Sequence, residues 1–453
     1  MPTPASHYGI VYGLHARPPL RETLFVGLQH TLAMFAGIVT PPLLIATSLG
    51  LPPHETSFFV SMALFASGIS TITQVMQVGA VGSGLLSVQG TSFVFLAPAQ
   101  AAGAVGGIPL MLGMSIAAAP IEIALSFCLG FARRLFAPIV TGTAVMMIGF
   151  SLIHVGMTNF AGGFGAPDFG SAQNLAIGFF VIAVIVLFYR IGRGVWRVGA
   201  VTFGLIAGYA LGAALGVVDF GPVRDAGWFL APIPFHYGYA FDARFLAPFC
   251  MAYLVTTLES VGDITATSQV SGEPVSGPVY MKRLRGGVLA DGLNSILAAI
   301  FNSLPNTTFA QNNGVIQLTG VASRIVGYAT AAILMVLGAL PKLGALVATM
   351  PRAALGGATV VLFGLVAMAG VRIVAQAGFS GRTMLILAVA CGLGIGFEQV
   401  PGALSGLPSA VRPFVGSPLA IGTLSALFLN LVFPPDAAND AELDLVTTGE
   451  DRT

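Results

Sequence analysis

Residues 311–320 read Gln-Asn-Asn-Gly-Val-Ile-Gln-Leu-Thr-Gly and set the carboxamides of Gln311, Asn312 and Gln317 beside a helix-breaking glycine, in a chain that otherwise avoids polar groups. Polar side chains at membrane depth are costly, so such a cluster marks a functional site by default. A second cluster lies upstream, where Glu259 and Asp263 are four residues apart and therefore share one face of a helix, a face that Thr256 extends by a turn. A buried carboxylate with no cation beside it favours its protonated form, which suits a proton carrier or a ligand acceptor. Structural hydrogen bonding to facing segments is the plainer alternative. Asp291, with Asn294 and Ser295 close by, fits a scaffold that holds the 307–320 segment, and proton transfer is its other possible role. Gln29 and His30 occupy roughly the place in the first half that Glu259 takes in the second. A histidine there can titrate near neutral pH, although a structural donor is the commoner role. Glu122 and Glu398 also fall at membrane depth, with no visible connection to these clusters.

Other chemistries lack their parts. Cys128, Cys250 and Cys391 are isolated in apolar stretches and offer neither a metal-ligand spacing nor a disulfide framework. No phosphate loop, dinucleotide fingerprint or zinc-spaced histidine pair occurs, so no cofactor and no metal is expected. An ion gradient is then the remaining common power source. A net charge of +1 gives no basic face for nucleic acid.

The elements that must position these groups are membrane helices. Hydrophobic residues make up 55% of the chain and charged residues 8%, far from the roughly one-quarter charged composition of soluble domains. Apolar runs long enough to cross a bilayer recur, without the short alternation of a β-barrel. Fourteen segments are expected, with cores at 23–47, 57–77, 85–101, 108–131, 135–156, 173–190 and 198–217, then 244–265, 284–302, 307–320, 325–341, 353–371, 382–397 and 411–433. With the N-terminus inside, Arg224, Arg244, Lys342, Arg352 and Arg412 fall outside. The other lysines and arginines, Arg133 and Arg134 among them, fall inside, as the positive-inside rule requires of cytoplasmic N- and C-termini. No cleavable signal peptide precedes the first span, and Asp436 to Thr453 reads as an acidic, solvated tail. Abundant glycine fits close helix packing, and prolines 41, 42, 98, 120, 138 and 351 mark kinks and loop entries.

Two segments stand apart. The third begins Leu-Leu-Ser-Val-Gln89-Gly-Thr-Ser92 and the tenth Thr-Thr-Phe-Ala-Gln311-Asn312, each β-prone before it turns helical. They lie seven segments apart, as two inverted repeats of seven would place them. Extended backbone survives at membrane depth only inside protein or along a cavity. Two such stretches paired antiparallel would leave two half-helices whose N-termini, with free N–H groups and positive dipole ends, meet near the bilayer centre. A planar, polar ligand, neutral or anionic, fits that place.

Across nearly its whole length the chain resembles the nucleobase–ascorbate transporters, the nucleobase:cation symporter-2 family. The resemblance rests on Gln29-His30, on Gln89-Gly90-Thr91-Ser92-Phe93, on Glu259 with Gly262-Asp263, on Asp291 and on Gln311 to Gly320. Within that family Gln followed by Asn at the motif's start accompanies purine transport, whereas uracil permeases carry Glu at the position of Gln311. The extension Gly320-Val-Ala-Ser-Arg324 looks most like bacterial xanthine and uric acid permeases. The resemblance implies an all-α polytopic fold of fourteen segments. A core domain (23–131 and 244–341) would slide like an elevator against a gate domain (132–217 and 342–433) that mediates dimerisation. Residues 1–22 would form a cytoplasmic segment, 218–243 an extracytoplasmic loop and 434–453 a polar tail. It further implies an inner-membrane proton symporter for xanthine and/or uric acid, not an enzyme. Glu259, Gln311, Asn312, Ser92, Phe93 and Gln89 would bind substrate, and Asp263, Asp291 and His30 would support the site or couple protons. A uracil or guanine permease and an anion transporter on the same fold are the alternatives.

Overall fold

The structure is a computed structural model, described here for residues 10–129, 137–163, 165–376, 378–406 and 418–433. Arg133, Arg134, Arg412, the start of the fourteenth segment, the first nine residues and the 434–453 tail lie outside those residues.

The apolar runs fold as helices. In the first half these are α1 (Leu20–Ser48), α2 (Pro53–Met76), α3 (Leu96–Ala118), α4 (Pro120–Cys128), α5 (Pro138–Phe160), α6 (Ala172–Ile191), α7 (Val195–Val198), α8 (Ala200–Ala214) and the short α9 (Gly221–Asp225). The second half contributes α10 (Leu246–Val270), α11 (Gly277–Ile300), α12 (Gln311–Thr319), α13 (Arg324–Gly338), α14 (Pro341–Ala348), α15 (Arg352–Gln376), α16 (Gly381–Gln399) and α17 (Pro418–Val432). Among the described residues eight helical stretches are long and apolar enough to cross a membrane, or nine if α13 and α14, bent by 74°, count as one. The fold is that of a multi-pass helical membrane protein. Broken or shortened segments do not pass on length, because α12 spans nine residues and α8 fifteen.

Proline sets several helix starts, since its missing N–H costs nothing in the first turn: Pro53, Pro120, Pro138 and Pro341 all sit there. Pro41 and Pro42 instead lie inside α1, which continues through them to Ser48. The expected separation of the third and fourth segments appears as a break within α3 at Gly106 and Gly107, the latter at φ 65°.

Close packing divides the helices into two neighbourhoods. In one, α5 and α15 lie against each other, flanked by α6, α16 and α17, with α8 on α6 and α15. A Cβ on Gly149 would stand 2.3 Å from the Ala367 nitrogen, and one on Gly370 2.3 Å from the Met146 nitrogen, so these glycines set the approach. In the other, α2 packs on α13, α14, α1 and α11, while α10 and α11 pack on α3 and α4.

At the heart of the second neighbourhood, β1 (Gln89–Thr91) pairs antiparallel with β2 (Asn306–Thr308) in the register Gln89 with Thr308, Gly90 with Thr307 and Thr91 with Asn306. The ladder extends at both ends, with Ser92 N–H donating to the Pro305 carbonyl at 2.9 Å and Phe309 N–H to the Val88 carbonyl at 3.1 Å. All six strand residues are buried, and the pairing satisfies backbone groups that lipid could not. Gly90 is required by contact: a Cβ there would lie 2.1 Å from Phe309 Cε2 and 2.7 Å from Ile38 Cγ1.

Candidate functional site

Each strand ends at the start of a helix. After β1 a 3₁₀ turn, Phe93–Phe95, leads into α3. Ser92 caps that turn, its Oγ accepting from Val94 N–H at 3.3 Å, and its side chain is buried. After β2, Phe309 and Ala310 lead into α12, whose first residue is Gln311 and which ends at Gly320 in the left-handed region, φ 68°. α10 packs against the 3₁₀ turn, β2, α3 and α12, so Glu259 and Asp263 run past both helix starts.

The sequence-predicted residues fall into two sets. Glu259, Gln311, Phe93 and Asp263 keep part of their surface exposed. Glu259 Oε2 has no hydrogen-bond partner, and Gln311, unlike its neighbours, has an amide bound to no described residue. Phe93 sets its ring edge-on to Phe363 of α15, centroids 5.2 Å apart, which puts it where the two helix neighbourhoods meet. Asp263 accepts from the Thr308 hydroxyl at 3.2 Å, tying α10 to β2.

Gln89, Asn312, Asp291 and His30 are fully buried behind that surface. Asp291 of α11 is a hub: its Oδ1 accepts from Gln89 Nε2 at 2.7 Å and from Gln74 Nε2 at 3.2 Å, and its Oδ2 accepts from the Ser260 hydroxyl. These bonds join α2, β1, α10 and α11. Asn294, one turn on, donates to the Ser70 carbonyl at 3.1 Å, and Ser295 donates to the Asn306 carbonyl at 3.2 Å. Asn312 donates its amide to the Leu86 carbonyl, fastening the first turn of α12 to the stretch before β1. The His30 ring lies beside the Asn312 amide, and neither of its nitrogens has a partner at hydrogen-bond distance. Asn313 accepts from the Thr267 hydroxyl at 2.7 Å, which anchors α12 to α10.

Glu122 corrects an expectation. It lies on α4, is fully buried and receives the Thr257 hydroxyl of α10 at 3.5 Å, half a turn from Glu259. Its sequence signal was a glutamate just after a helix-starting proline, which gave no hint of the partner. Glu398, near the end of α16, has no such link; the ionisable side chain that acts on it is His154 of α5. Among the described residues no group of three metal-ligating side chains occurs.

This geometry, two strand-broken helices facing a carboxylate-bearing helix, can be set against known proteins. The model of the Xan_ur_permease family, described as "Permease family", matches residues 21–403. The chain belongs to this permease family, the nucleobase–ascorbate transporters. It is 45% identical over 440 residues to the xanthine permease XanP of Escherichia coli (strain K12), covering 94% of this chain and 95% of that one. It is 35% identical over 424 residues to the uric acid permease PucK of Bacillus subtilis (strain 168), covering 93% and 98%. Among solved structures it is similar to the murine anion transporter Slc26a9 in its inward-facing state, with TM-score 0.63 at 12% identity, covering 92% of this chain and 69% of that one. It is also similar to the transmembrane domain of the cyanobacterial bicarbonate transporter BicA, with TM-score 0.55 at 15% identity, covering 93% and 100%. At those identities the likeness is one of fold.

Proposed function

We propose that this permease takes up purine nucleobases, xanthine and/or uric acid, together with protons. The observation that carries this reading is that Glu259 on α10 and Gln311 at the start of α12, two helices packed against each other, have side chains that bond to no described residue, beside the two strand-to-helix junctions. Xanthine and urate carry carbonyls and ring N–H groups on alternating edges. Glu259 accepts ring N–H protons, Gln311 donates and accepts in one plane, and the positive ends of the helix dipoles after β1 and at the start of α12 favour the carbonyls. Phe93 supplies a ring face for stacking. Asp263, Asp291, Gln89 and Asn312 hold the two broken segments in register, and His30 lies beside the Asn312 amide.

Transport follows if the neighbourhood of α1–α4 and α10–α13 carries the base while that of α5–α8 and α15–α17 stays fixed and pairs with a second copy. The segments form two inverted repeats of seven, with both termini in the cytoplasm and the chain in the inner membrane. The fold likeness to anion transporters supports a second reading, anion transport. Against it, Glu259 and Gln311 together suit a ligand that presents several N–H donors and carbonyls in one plane. Uptake of labelled xanthine, urate, guanine and uracil by a permease-deficient cell, with bicarbonate as competitor, tests both. Purine uptake indifferent to bicarbonate is expected, and uracil uptake alone, or none of the four with bicarbonate transported, overturns the proposal.

A further inference from the structure

Glu122 is the one fully buried carboxylate among the described residues that neither the resemblance nor the proposed binding set uses. α4 packs against α10, α11 and α3. The ionisable groups facing Glu122 are Asp291 from α11 and Glu259 and Tyr253 from α10, while α3 carries no ionisable side chain. No lysine or arginine forms an ion pair with any of them: the described salt bridges involve only Glu55, Asp242 and Glu273. Three carboxylates in a buried, cation-free cluster cannot all be ionised, because desolvation and mutual repulsion both oppose it.

The hydrogen bonds sort them. Asp291 accepts three donors and is built to hold a charge. Glu259 accepts no hydrogen bond from any described residue, and it lies partly exposed on α10 beside the two strand-to-helix junctions, where a bound base can supply the donors. Glu122 accepts at 3.5 Å from a Thr257 hydroxyl that also donates to the Tyr253 carbonyl at 2.8 Å, the Thr256 hydroxyl lies on the same side of it, and its Oε2 has no partner at hydrogen-bond distance. Once a bound base supplies donors to Glu259, Glu122 is the one of the three whose oxygen no donor reaches, and that is the natural place for a proton.

We propose that Glu122 is the site of the coupling proton. Resting on proton-coupled uptake as proposed above, the inference assigns the proton to a residue behind the binding surface. Nucleobase binds to ionised Glu259 only when Glu122 is protonated, since Glu122 and Glu259 ionised together would add a second unpaired charge beside Asp291. Bound base thus raises the proton occupancy of Glu122, and loss of that proton on the cytoplasmic side weakens the hold on the base and releases it. The proton moves on and off the carboxyl oxygen, and no other bond is made or broken.

The test is the pH dependence of xanthine binding and of accumulation in wild type and in Glu122→Gln, a neutral mimic of the protonated acid. Wild-type affinity is expected to fall about tenfold per pH unit above the coupling range, the slope of one linked proton. Glu122→Gln is expected to bind xanthine with affinity independent of pH, to retain exchange of external for internal xanthine and to lose uphill accumulation. A Glu122→Gln protein with wild-type pH dependence and accumulation overturns the assignment and leaves proton coupling standing. A wild type whose affinity and accumulation ignore pH overturns proton coupling itself. Should Glu122→Gln fail to reach the membrane, Glu122→Asp keeps a titrating carboxyl and is expected to accumulate xanthine with a displaced pH profile. An unchanged profile there, or no proton uptake from weakly buffered solution when xanthine is added to purified wild type, refutes the proposal.

Discussion

Replacing Asp291 separates a scaffold from a proton carrier, because its two oxygens are used differently. Oδ1 accepts from both Gln89 and Gln74, while Oδ2 accepts only from the Ser260 hydroxyl. Asp291→Ala removes both acceptor oxygens at a fully buried point and with them three hydrogen bonds, from two amides and a hydroxyl. At about 1–2 kcal/mol for each hydrogen bond lost inside a membrane protein, the deficit is roughly 3–6 kcal/mol, a large share of the 5–15 kcal/mol that holds a typical domain folded. Asp291→Asn is different in kind. Its carbonyl oxygen can stand in the place of Oδ1 and keep both glutamine donors. Its NH₂ stands in place of Oδ2, and the Ser260 hydroxyl turns from donor to acceptor. What is lost is the charge assistance, about 1–2 kcal/mol in total. Expression, thermal stability of the detergent-solubilised protein and xanthine uptake should all follow the order wild type, Asn, then Ala, with Asn retaining measurable accumulation. The decisive result is a stable Asp291→Asn protein that binds xanthine and has lost accumulation as fully as Asp291→Ala: Asp291 would then carry a proton, and the scaffold argument would be wrong.

Glu259→Gln should reach the membrane and lose accumulation, and normal uptake at normal expression would remove Glu259 from the centre of the site. Gly90→Ala would place a methyl 2.1 Å from the Phe309 ring, costing about 1–3 kcal/mol by overpacking. A second change, Phe309→Leu, should restore part of the melting temperature, and an undisturbed Gly90→Ala melt would contradict the strand packing. Gln311→Ala should weaken every purine by about 1–3 kcal/mol, or roughly 5- to 150-fold in inhibition constant, whereas Ser92→Asn, which keeps a capping side chain but adds bulk, should narrow the range toward xanthine. An unchanged ratio of urate to xanthine inhibition would show that Ser92 does not set selectivity. Accumulation should collapse with a protonophore and strengthen as external pH falls, and uptake that needs sodium and ignores the protonophore would refute proton coupling.

What could be read from the chain follows from how far apart the interacting residues lie. The two breaks at Gln89–Ser92 and at 307–312 are local events, a β-prone stretch ahead of polar residues in an otherwise apolar run, and both appear as paired strands in the structure. The need for glycine at 90 was not legible, because the ring that excludes a side chain there belongs to Phe309. Gln89 and Asn312 read as ligand groups since each is a costly amide at membrane depth. The structure turns one toward Asp291, 202 residues away, and the other toward Leu86, 226 residues away. Glu122 meets Thr257 across 135 residues, and no window of sequence contains both. Spacing along one helix found Glu259 and Asp263 because four residues make a face whatever the fold. A polar side chain in a membrane segment therefore announces that it has a partner, but whether that partner is a ligand or a distant strand depends on how the segments close around it. Of the amides at the two strand-to-helix junctions, Gln311 is the one left free for a ligand, because the fold has already engaged Gln89 and Asn312.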